Sequence, residues 1–364
     1  MSVVLFLLVL FVLVLVHEWG HFIVAKKTGM RVDEFAIGFP PKLFSVKKGE
    51  TEYSFNALPI GGFVKIFGEN AEAITAEEAH NESRAFYARP KWAQALVLIA
   101  GIVMNVLFAW LLFTGALLLG VPSAVDEATA GPDAALVIAG TLKDAPADGL
   151  LPVGARVVGA RSSNDTLDAL TPSAFSAFIG AHADELISID YKKGDVTGTA
   201  EVTPKAGLVA EDPQKKIVGT TLALVENKQE ALPGAIVEGG RMTVNGVGAI
   251  TVGLYSLIRD AIMGRADFSS VAGPVGIVGL VGDAASYGLT PLLLFTAIIS
   301  LNLAVINLLP FPALDGGRLL FVGIEAITKR RIPSAVTGWV NLLGFALLMI
   351  LMIAVTINDI GRLL

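Results

Sequence analysis

Apolar residues are concentrated in four long segments of the chain. These segments lie near residues 2–24, 93–120, 289–309 and 336–357. A helix of about 20 apolar residues crosses the roughly 30 Å of hydrocarbon in a bilayer. The pattern therefore predicts an α-helical multi-pass membrane protein with four transmembrane helices.

Alternating apolar and polar positions predict strands in two other parts of the chain. Residues 35–67 alternate around glycine and proline, which predicts a hairpin, either without special purpose or with a strand edge beside an active site. Residues 125–226 mix strand-like stretches with one helix-like stretch, which predicts an inserted α+β domain. After this domain we expect an interfacial helix and then a turn at residues 273–276.

These elements divide the chain into four parts. We expect an N-terminal membrane core (1–120), the inserted domain (125–226), a linker with the interfacial helix (227–288) and a C-terminal membrane core (289–364). The first apolar segment has no basic region before it and no small-residue cleavage site after it. We therefore expect it to be retained as a transmembrane helix rather than removed as a signal peptide.

Basic residues predict how the four helices are oriented. Three clusters lie after the first helix, before the second, and between the last two: Lys26, Lys27 and Arg31; Arg84, Arg89 and Lys91; Lys329, Arg330 and Arg331. Loops rich in lysine and arginine stay on the cytoplasmic side of a membrane. Both termini and the inserted domain are therefore expected outside the cytoplasm.

The overall composition supports a membrane protein and restricts its chemistry. The chain is 54% hydrophobic and 16% charged, with a mean hydropathy of +0.67 and a net charge of −6. This charge argues against a nucleic-acid partner, which requires a basic surface. The chain has no cysteine, so any metal ion must be bound by histidine, aspartate or glutamate.

The end of the first apolar segment contains a zinc-binding motif. His17-Glu18-Trp19-Gly20-His21 matches HExxH, in which two imidazoles four residues apart on one helix face bind Zn²⁺. Zinc lowers the pKa of a water that it binds to about 7, and Glu18 can accept the proton as general base. A chance match is the alternative, but two of the four histidines of the chain fall here. Ionisable groups within a span usually mark function, so we expect an intramembrane site toward the cytoplasmic side.

A catalytic zinc ion needs a third protein ligand, and Asp315 is the best candidate. His80 lies in a polar loop and His182 in the inserted domain, whereas Asp315 follows the third apolar segment. The first and third helices run in the same predicted direction, so Asp315 reaches a depth similar to that of the two motif histidines. The alternative role of Asp315 is to cap a helix that begins at Gly316.

The end of the third apolar segment has features of a substrate site. Pro310 and Pro312 break the helix, and irregular backbone at this depth is stable only where it lines a cavity. Asn302 and Asn307 offer amides that can bind an unwound substrate backbone. Packing between helices is the alternative role of these asparagines.

Taken together, these motifs resemble the site-2 protease family (M50), in its bacterial regulator of sigma-E protease (RseP) type. The resemblance covers nearly the whole chain and rests on three motifs in the family's order: His17-Glu18-x-x-His21, Gly273-Pro274-Val275-Gly276 and Asn307-x-x-Pro310-x-Pro312-x-Leu314-Asp315-Gly316. It implies an intramembrane zinc metalloprotease with one Zn²⁺ per chain.

The same resemblance implies roles for two other regions. The inserted domain is similar to a single PDZ domain, best over residues 145–158 and 202–204. Residues 35–46 resemble a membrane-reentrant β-loop, and residues 61–65 resemble the edge strand that clamps substrate, with Gly61, Gly62, Phe63 and Val64 as candidate binding residues. Whether the PDZ domain binds a peptide or excludes bulky substrates stays open at this point.

The expected partners follow from the resemblance as well. They are the lipid bilayer and the transmembrane helices of single-pass proteins, such as pre-trimmed anti-sigma factors in regulated intramembrane proteolysis, or remnant signal peptides. The expected location is the bacterial inner (plasma) membrane, with the PDZ domain extracytoplasmic. Two alternatives remain from the residues: an inactive membrane adaptor that binds unfolded termini through the PDZ domain, and a zinc or proton transporter.

Overall fold

The computed structural model describes residues 1–69, 79–163, 165–194, 196–208, 212, 214–265 and 272–363. The chain forms two units, which are described separately. The first unit is Met1–Gly115 with Leu232–Leu364, and the second is Ala116–Ala231.

Helices dominate the first unit, and strands dominate the second. The α-helices are α1 (Ser2–Lys27), α2 (Lys91–Leu119), α3 (Pro172–Ala181), α4 (Leu232–Ile262), α5 (Pro274–Ser286), α6 (Leu289–Leu308), α7 (Asp315–Thr328) and α8 (Ser334–Leu363). The strands are β1 (Val32–Lys48), β2 (Thr51–Ile66), β3 (Val121–Val125), β4 (Ala135–Thr141), β5 (Arg156–Arg161), β6 (Ile187–Lys193), β7 (Val196–Val202) and β8 (Thr220–Lys228).

Helices α1, α2, α6 and α8 are each long and apolar enough to cross a membrane. They confirm the four helices predicted from the apolar segments. Only 6% of the most apolar window of α8 is buried within the protein. So much exposed apolar surface is unfavourable in water, and the first unit is therefore membrane-embedded.

Strands β1 and β2 form the predicted hairpin, in which residues 42–48 pair with residues 51–56, and they pair in two further places. Residues 32–37 of β1 lie between two parts of β2, pairing with residues 62–66 on one side and 52–55 on the other. No other described strand pairs with residues 62–66. These residues, called the edge segment below, therefore lie at an edge of the described sheet.

The hairpin is held against the membrane helices by an ion-pair cluster at its turn. Both Glu50 oxygens accept hydrogen bonds from Arg84, at 2.7 and 2.8 Å, and Oε1 also accepts from Lys26 Nζ at 2.6 Å. The hydrogen bonds from Arg84 lower the pKa of Glu50 to about 2, against the opposing effect of burial. Glu50 thus joins the hairpin to the end of α1 and to the segment before α2.

The second unit is an α+β structure with its own core. Its six strands form an antiparallel sheet in the order β3-β8-β4-β5-β6-β7. Thr171 is the N-cap of α3, and its hydroxyl accepts a hydrogen bond from the Ala174 amide. The core consists of aliphatic and aromatic side chains from the sheet and α3, among them Leu136, Ile138, Val157, Phe175 and Ile189.

The segment that follows the second unit along the chain differs from the sequence prediction at two points. Helix α4 has 31 residues, so the expected interfacial helix is only its second half. The prediction of a turn at residues 273–276 is wrong, because Gly273 is the N-cap of α5 and Pro274 is its first residue. The Asp359 carboxylate of α8 accepts hydrogen bonds from the amides of Gly273 and Gly276, at 3.1 and 2.8 Å. This cap comes from a residue distant in sequence.

Candidate metal centre

Helices α1 and α7 bring three side chains with metal-binding atoms together. His17 and His21 lie on one face of α1, with their ring centroids 4.7 Å apart. Their Nε2 atoms are separated by 3.1 Å. Asp315 Oδ2 lies 3.0 Å from His17 Nε2 and 3.3 Å from His21 Nε2. The three atoms therefore form a triangle with sides of 3.0 to 3.3 Å.

This triangle has the size that a zinc ion requires. Zinc binds imidazole nitrogen and carboxylate oxygen at about 2.0–2.2 Å, so neighbouring ligand atoms of a tetrahedron are roughly 3.3 Å apart. Shifts of a few tenths of an ångström suffice for tetrahedral geometry. Among the described residues, this is the one group of three histidine or acidic side chains close enough to share a metal ion.

The break between α6 and α7 positions Asp315. Helix α6 ends at Leu308, and the chain then turns through Ala313, whose φ is 72°. A Cβ on Gly316 would lie 2.2 Å from the Leu309 carbonyl oxygen, so only glycine fits at this close approach. Asp315 is the first residue of α7 and does not cap it; the N-cap is Leu314, without a side-chain hydrogen bond. The capping alternative is therefore wrong, because the carboxylate contacts the two imidazoles.

Glu18 and two of the candidate ligands, His21 and Asp315, face a cavity of about 390 Å³. The lining includes Glu18, His21 and Asp315, the edge segment from Phe63 to Ile66, and the ion pair of Glu69 with Arg318. A Cβ on Gly62 would lie 3.9 Å from Glu18 Cγ, so the edge segment comes next to the proposed base. The cavity thus brings Glu18, two candidate metal ligands and the edge segment together.

Only some of the predicted substrate-binding residues lie at this cavity. Phe63 and Val64 line the cavity, and Gly61 precedes them with a φ of 138°. The structure does not bring Asn302, Asn307, Pro310 or Pro312 into this lining. The Asn302 amide donates to the Ile298 carbonyl of its own helix at 2.9 Å, and Pro312 packs against Gly344 of α8.

Neither remaining histidine joins the candidate site. In the second unit, His182 Nδ1 donates a hydrogen bond to the Phe178 carbonyl at 2.9 Å. The side chain of His80 lies outside the part of the chain that the structure describes.

One face of α2 contacts both histidines, and the sequence did not predict this contact. The Val97 carbonyl accepts a hydrogen bond from His21 Nδ1 at 2.8 Å, and the Asn105 amide lies 3.2 Å from His17 Nδ1. Gly101, between them, leaves room for both rings. The spacing of four residues puts all three on one helix face. The sequence feature that could have indicated this contact is a polar residue, Asn105, within an apolar segment.

Known proteins are similar to this chain over nearly its whole length. Residues 5–351 match the sequence model of Peptidase family M50. A Clostridium perfringens relative, provisionally named a zinc metalloprotease, is 35% identical, covering 99% of this chain and 98% of its own length. Zinc metalloprotease RasP of Oceanobacillus iheyensis is 31% identical, covering 100% and 99%. Regulator of sigma-W protease RasP of Bacillus subtilis is 29% identical, covering 100% and 99%.

The chain therefore belongs to peptidase family M50, the site-2 proteases, and is a membrane-embedded zinc metalloprotease. This assignment confirms the family, the enzyme class and the zinc cofactor expected from the sequence. It replaces the adaptor and transporter alternatives.

Proposed function

We propose that this protease hydrolyses peptide bonds within the transmembrane segments of single-pass membrane proteins. The observation that carries the proposal is the cavity lined by Glu18, Asp315 and the edge segment, within the unit built from apolar helices. The test is cleavage of a transmembrane peptide by the full-length protein in lipid vesicles, with zinc content measured on the same sample. Zinc-loaded protein that leaves such a peptide intact would contradict the proposal.

In this proposal His17, His21 and Asp315 bind one zinc ion through Nε2, Nε2 and Oδ2. Their triangular arrangement, with sides of 3.0 to 3.3 Å, supports this ligand set. When bound, zinc polarises the scissile carbonyl and lowers the pKa of water to about 7. Glu18 takes the proton of the attacking water on its carboxylate and returns it to the leaving amide nitrogen.

The substrate binds in an extended form along the edge segment. The amides of a helix are paired within the helix, so a transmembrane helix must unwind before its carbonyls are accessible. Among the described strands, β1 alone pairs with residues 62–66, and in this proposal an unwound substrate pairs along their other side. The proximity of Gly62 to Glu18 supports this arrangement, in which the paired substrate lies beside the base.

Disulfide crosslinking tests the edge segment directly, because the chain has no natural cysteine. We expect Val64→Cys, in a Glu18→Gln background, to form a disulfide with a cysteine placed near the cleavage site of the substrate. Val46→Cys is the matched control, since Val46 is exposed on the opposite edge of the same sheet. Equal crosslinking by both variants, or none by Val64→Cys, would contradict binding along the edge segment.

Gly101→Ala tests the close approach of α2 to the proposed ligands. The added Cβ would lie 2.5 Å from His21 Nε2 and 2.8 Å from His17 Cε1, so both rings must shift. Overpacking of this kind costs about 1–3 kcal/mol, which corresponds to zinc affinity reduced about 5- to 150-fold. Gly115→Ala on the same helix is the control, because its Cβ would meet nothing within 4 Å. Unchanged zinc affinity in Gly101→Ala would argue against these ligands.

The proposed orientation places the ends that carry the basic clusters in the cytoplasm. Contacts between these clusters support a common side. Glu50 joins Lys26 to Arg84, Lys91 binds Glu325 at 2.5 Å, and Arg331 lies over the Tyr87 ring. The termini and the second unit would then be extracytoplasmic, in the inner (plasma) membrane of a bacterium.

The physiological substrate class we propose is the pre-trimmed anti-sigma factor. The support is the name of the Bacillus subtilis relative, a regulator of sigma-W protease. Remnant signal peptides are the second candidate. Comparison of the single-pass proteins that accumulate in cells with wild-type and Glu18→Gln protein distinguishes the two.

A further inference from the structure

Asn105 lies beside His17 where α1, α2 and α6 meet. Its side chain is fully buried, and its amide is 3.2 Å from His17 Nδ1. Its backbone carbonyl accepts a hydrogen bond from the Ser300 hydroxyl of α6 at 2.8 Å. A buried polar side chain within an apolar span costs free energy, so its contact with a functional side chain calls for a physical reason.

Zinc binding imposes a specific protonation on each histidine ligand. Nε2 must offer its lone pair to the metal, so the proton lies on Nδ1 and needs an acceptor. His21 has such an acceptor in the Val97 carbonyl at 2.8 Å. For His17, the group in the equivalent place is the Asn105 amide.

The Asn105 amide can meet this need with its oxygen. In the arrangement described, Nδ2 faces His17 Nδ1, while Oδ1 is buried without a hydrogen-bond partner among the described residues. A half-turn of the amide exchanges Oδ1 and Nδ2 with almost no change in shape. Oδ1 then accepts the Nδ1 proton, and His17 Nε2 is free to bind the metal.

We propose that Asn105 is a positioning residue of the zinc centre, whose amide oxygen holds His17 in the zinc-binding tautomer and orientation. The inference rests on the proposed function, in which His17 is a ligand. Asn105 acts through the imidazole and takes no part in the chemistry itself. Loss of such a partner typically lowers metal affinity about 10- to 100-fold.

The experiment measures zinc affinity of the full-length protein by competition with a chelator. We expect Asn105→Leu to bind zinc about 10- to 100-fold more weakly, because the Nδ1 proton loses its acceptor. Asn105→Asp keeps an acceptor oxygen, so its affinity should stay within about threefold of wild type. Ser300→Ala is the matched control, since it removes the other hydrogen bond at Asn105 without touching His17.

Two additional measurements separate positioning from loss of packing. Thermal unfolding of the zinc-free protein reports packing, and the visible spectrum of the cobalt-substituted protein reports ligand geometry. We expect the cobalt spectrum to change in Asn105→Leu and to be retained in Asn105→Asp and Ser300→Ala. If Asn105→Leu does not fold, Asn105→Asp still tests the oxygen, because a carboxylate cannot donate as the amide Nδ2 does.

Several results would overturn the inference. They are wild-type zinc affinity in Asn105→Leu, loss of zinc binding in Asn105→Asp, or an equal loss in Ser300→Ala. His17→Ala distinguishes this failure from failure of the proposed function. If His17→Ala binds zinc as tightly as wild type, the ligand assignment itself is wrong.

Discussion

Glu18→Gln is expected to retain zinc and to lose cleavage of transmembrane substrates. Glutamine has nearly the same shape, but its amide cannot accept the proton of the attacking water or return it to the leaving nitrogen. His17, His21 and Asp315 keep their positions, so metal content should stay near one zinc per chain. Loss of general acid and base catalysis alone reduces rates about 10²- to 10⁴-fold. Zinc content and cleavage of a transmembrane peptide, measured on the same preparation, check both parts.

The control for this variant is Glu238→Gln on α4, which makes the same change at a partly exposed position outside the cavity. It should cleave at the wild-type rate. If Glu18→Gln retained substantial activity, Glu18 would not be the base. If it lost zinc, the variant would report on the metal site rather than on proton transfer.

The sequence predicted those features that depend on local patterns. The four spanning helices follow from apolar segments of bilayer length, and the proximity of His17 to His21 follows from helical spacing. The hairpin was predicted from alternation around glycine and proline. The break after α6 was predicted because Pro310 and Pro312 cannot continue a helix.

Features that depend on contacts between distant segments were not predicted. The edge segment is an edge only because β1 pairs with β2 on both sides, which alternation cannot reveal. The start of α5 looked like a turn because its cap, Asp359, comes from α8. Helix α2 passes close to α1 and contacts its two histidines through Val97, Gly101 and Asn105. Both helices are apolar, and their composition does not indicate where they cross.

The second unit shows the same limit in a different way. Strand-like stretches and α3 could be recognised within residues 125–226, whereas β3 (Val121–Val125) lies before the predicted domain. In the sheet order β3-β8-β4-β5-β6-β7, β3 pairs with β8, the last strand of the unit. Pairing between chain ends is a property of the folded unit. The sequence therefore predicts the α+β class of this unit but not the order of its strands.

Asp315→Ala is expected to abolish both zinc binding and cleavage. The carboxylate provides one corner of the triangle with His17 and His21, at 3.0 and 3.3 Å, and two imidazoles alone leave a catalytic zinc ion under-coordinated. The loss of zinc should distinguish this variant from Glu18→Gln, which loses only the proton acceptor. Metal analysis after dialysis, followed by the cleavage assay with added zinc, measures both effects.

Asp283→Ala is the matched control, because Asp283 is an exposed aspartate on α5 in the same unit. It should bind zinc and cleave as the wild type does. Full zinc occupancy in Asp315→Ala, with activity lost, would mean that Asp315 orients the imidazoles or the substrate and that the third ligand lies elsewhere. Loss of zinc in both variants would indicate a general effect of removing an aspartate from this unit. The expected result is loss of zinc in Asp315→Ala alone. It follows because the break after α6 positions this carboxylate beside the two histidines of α1.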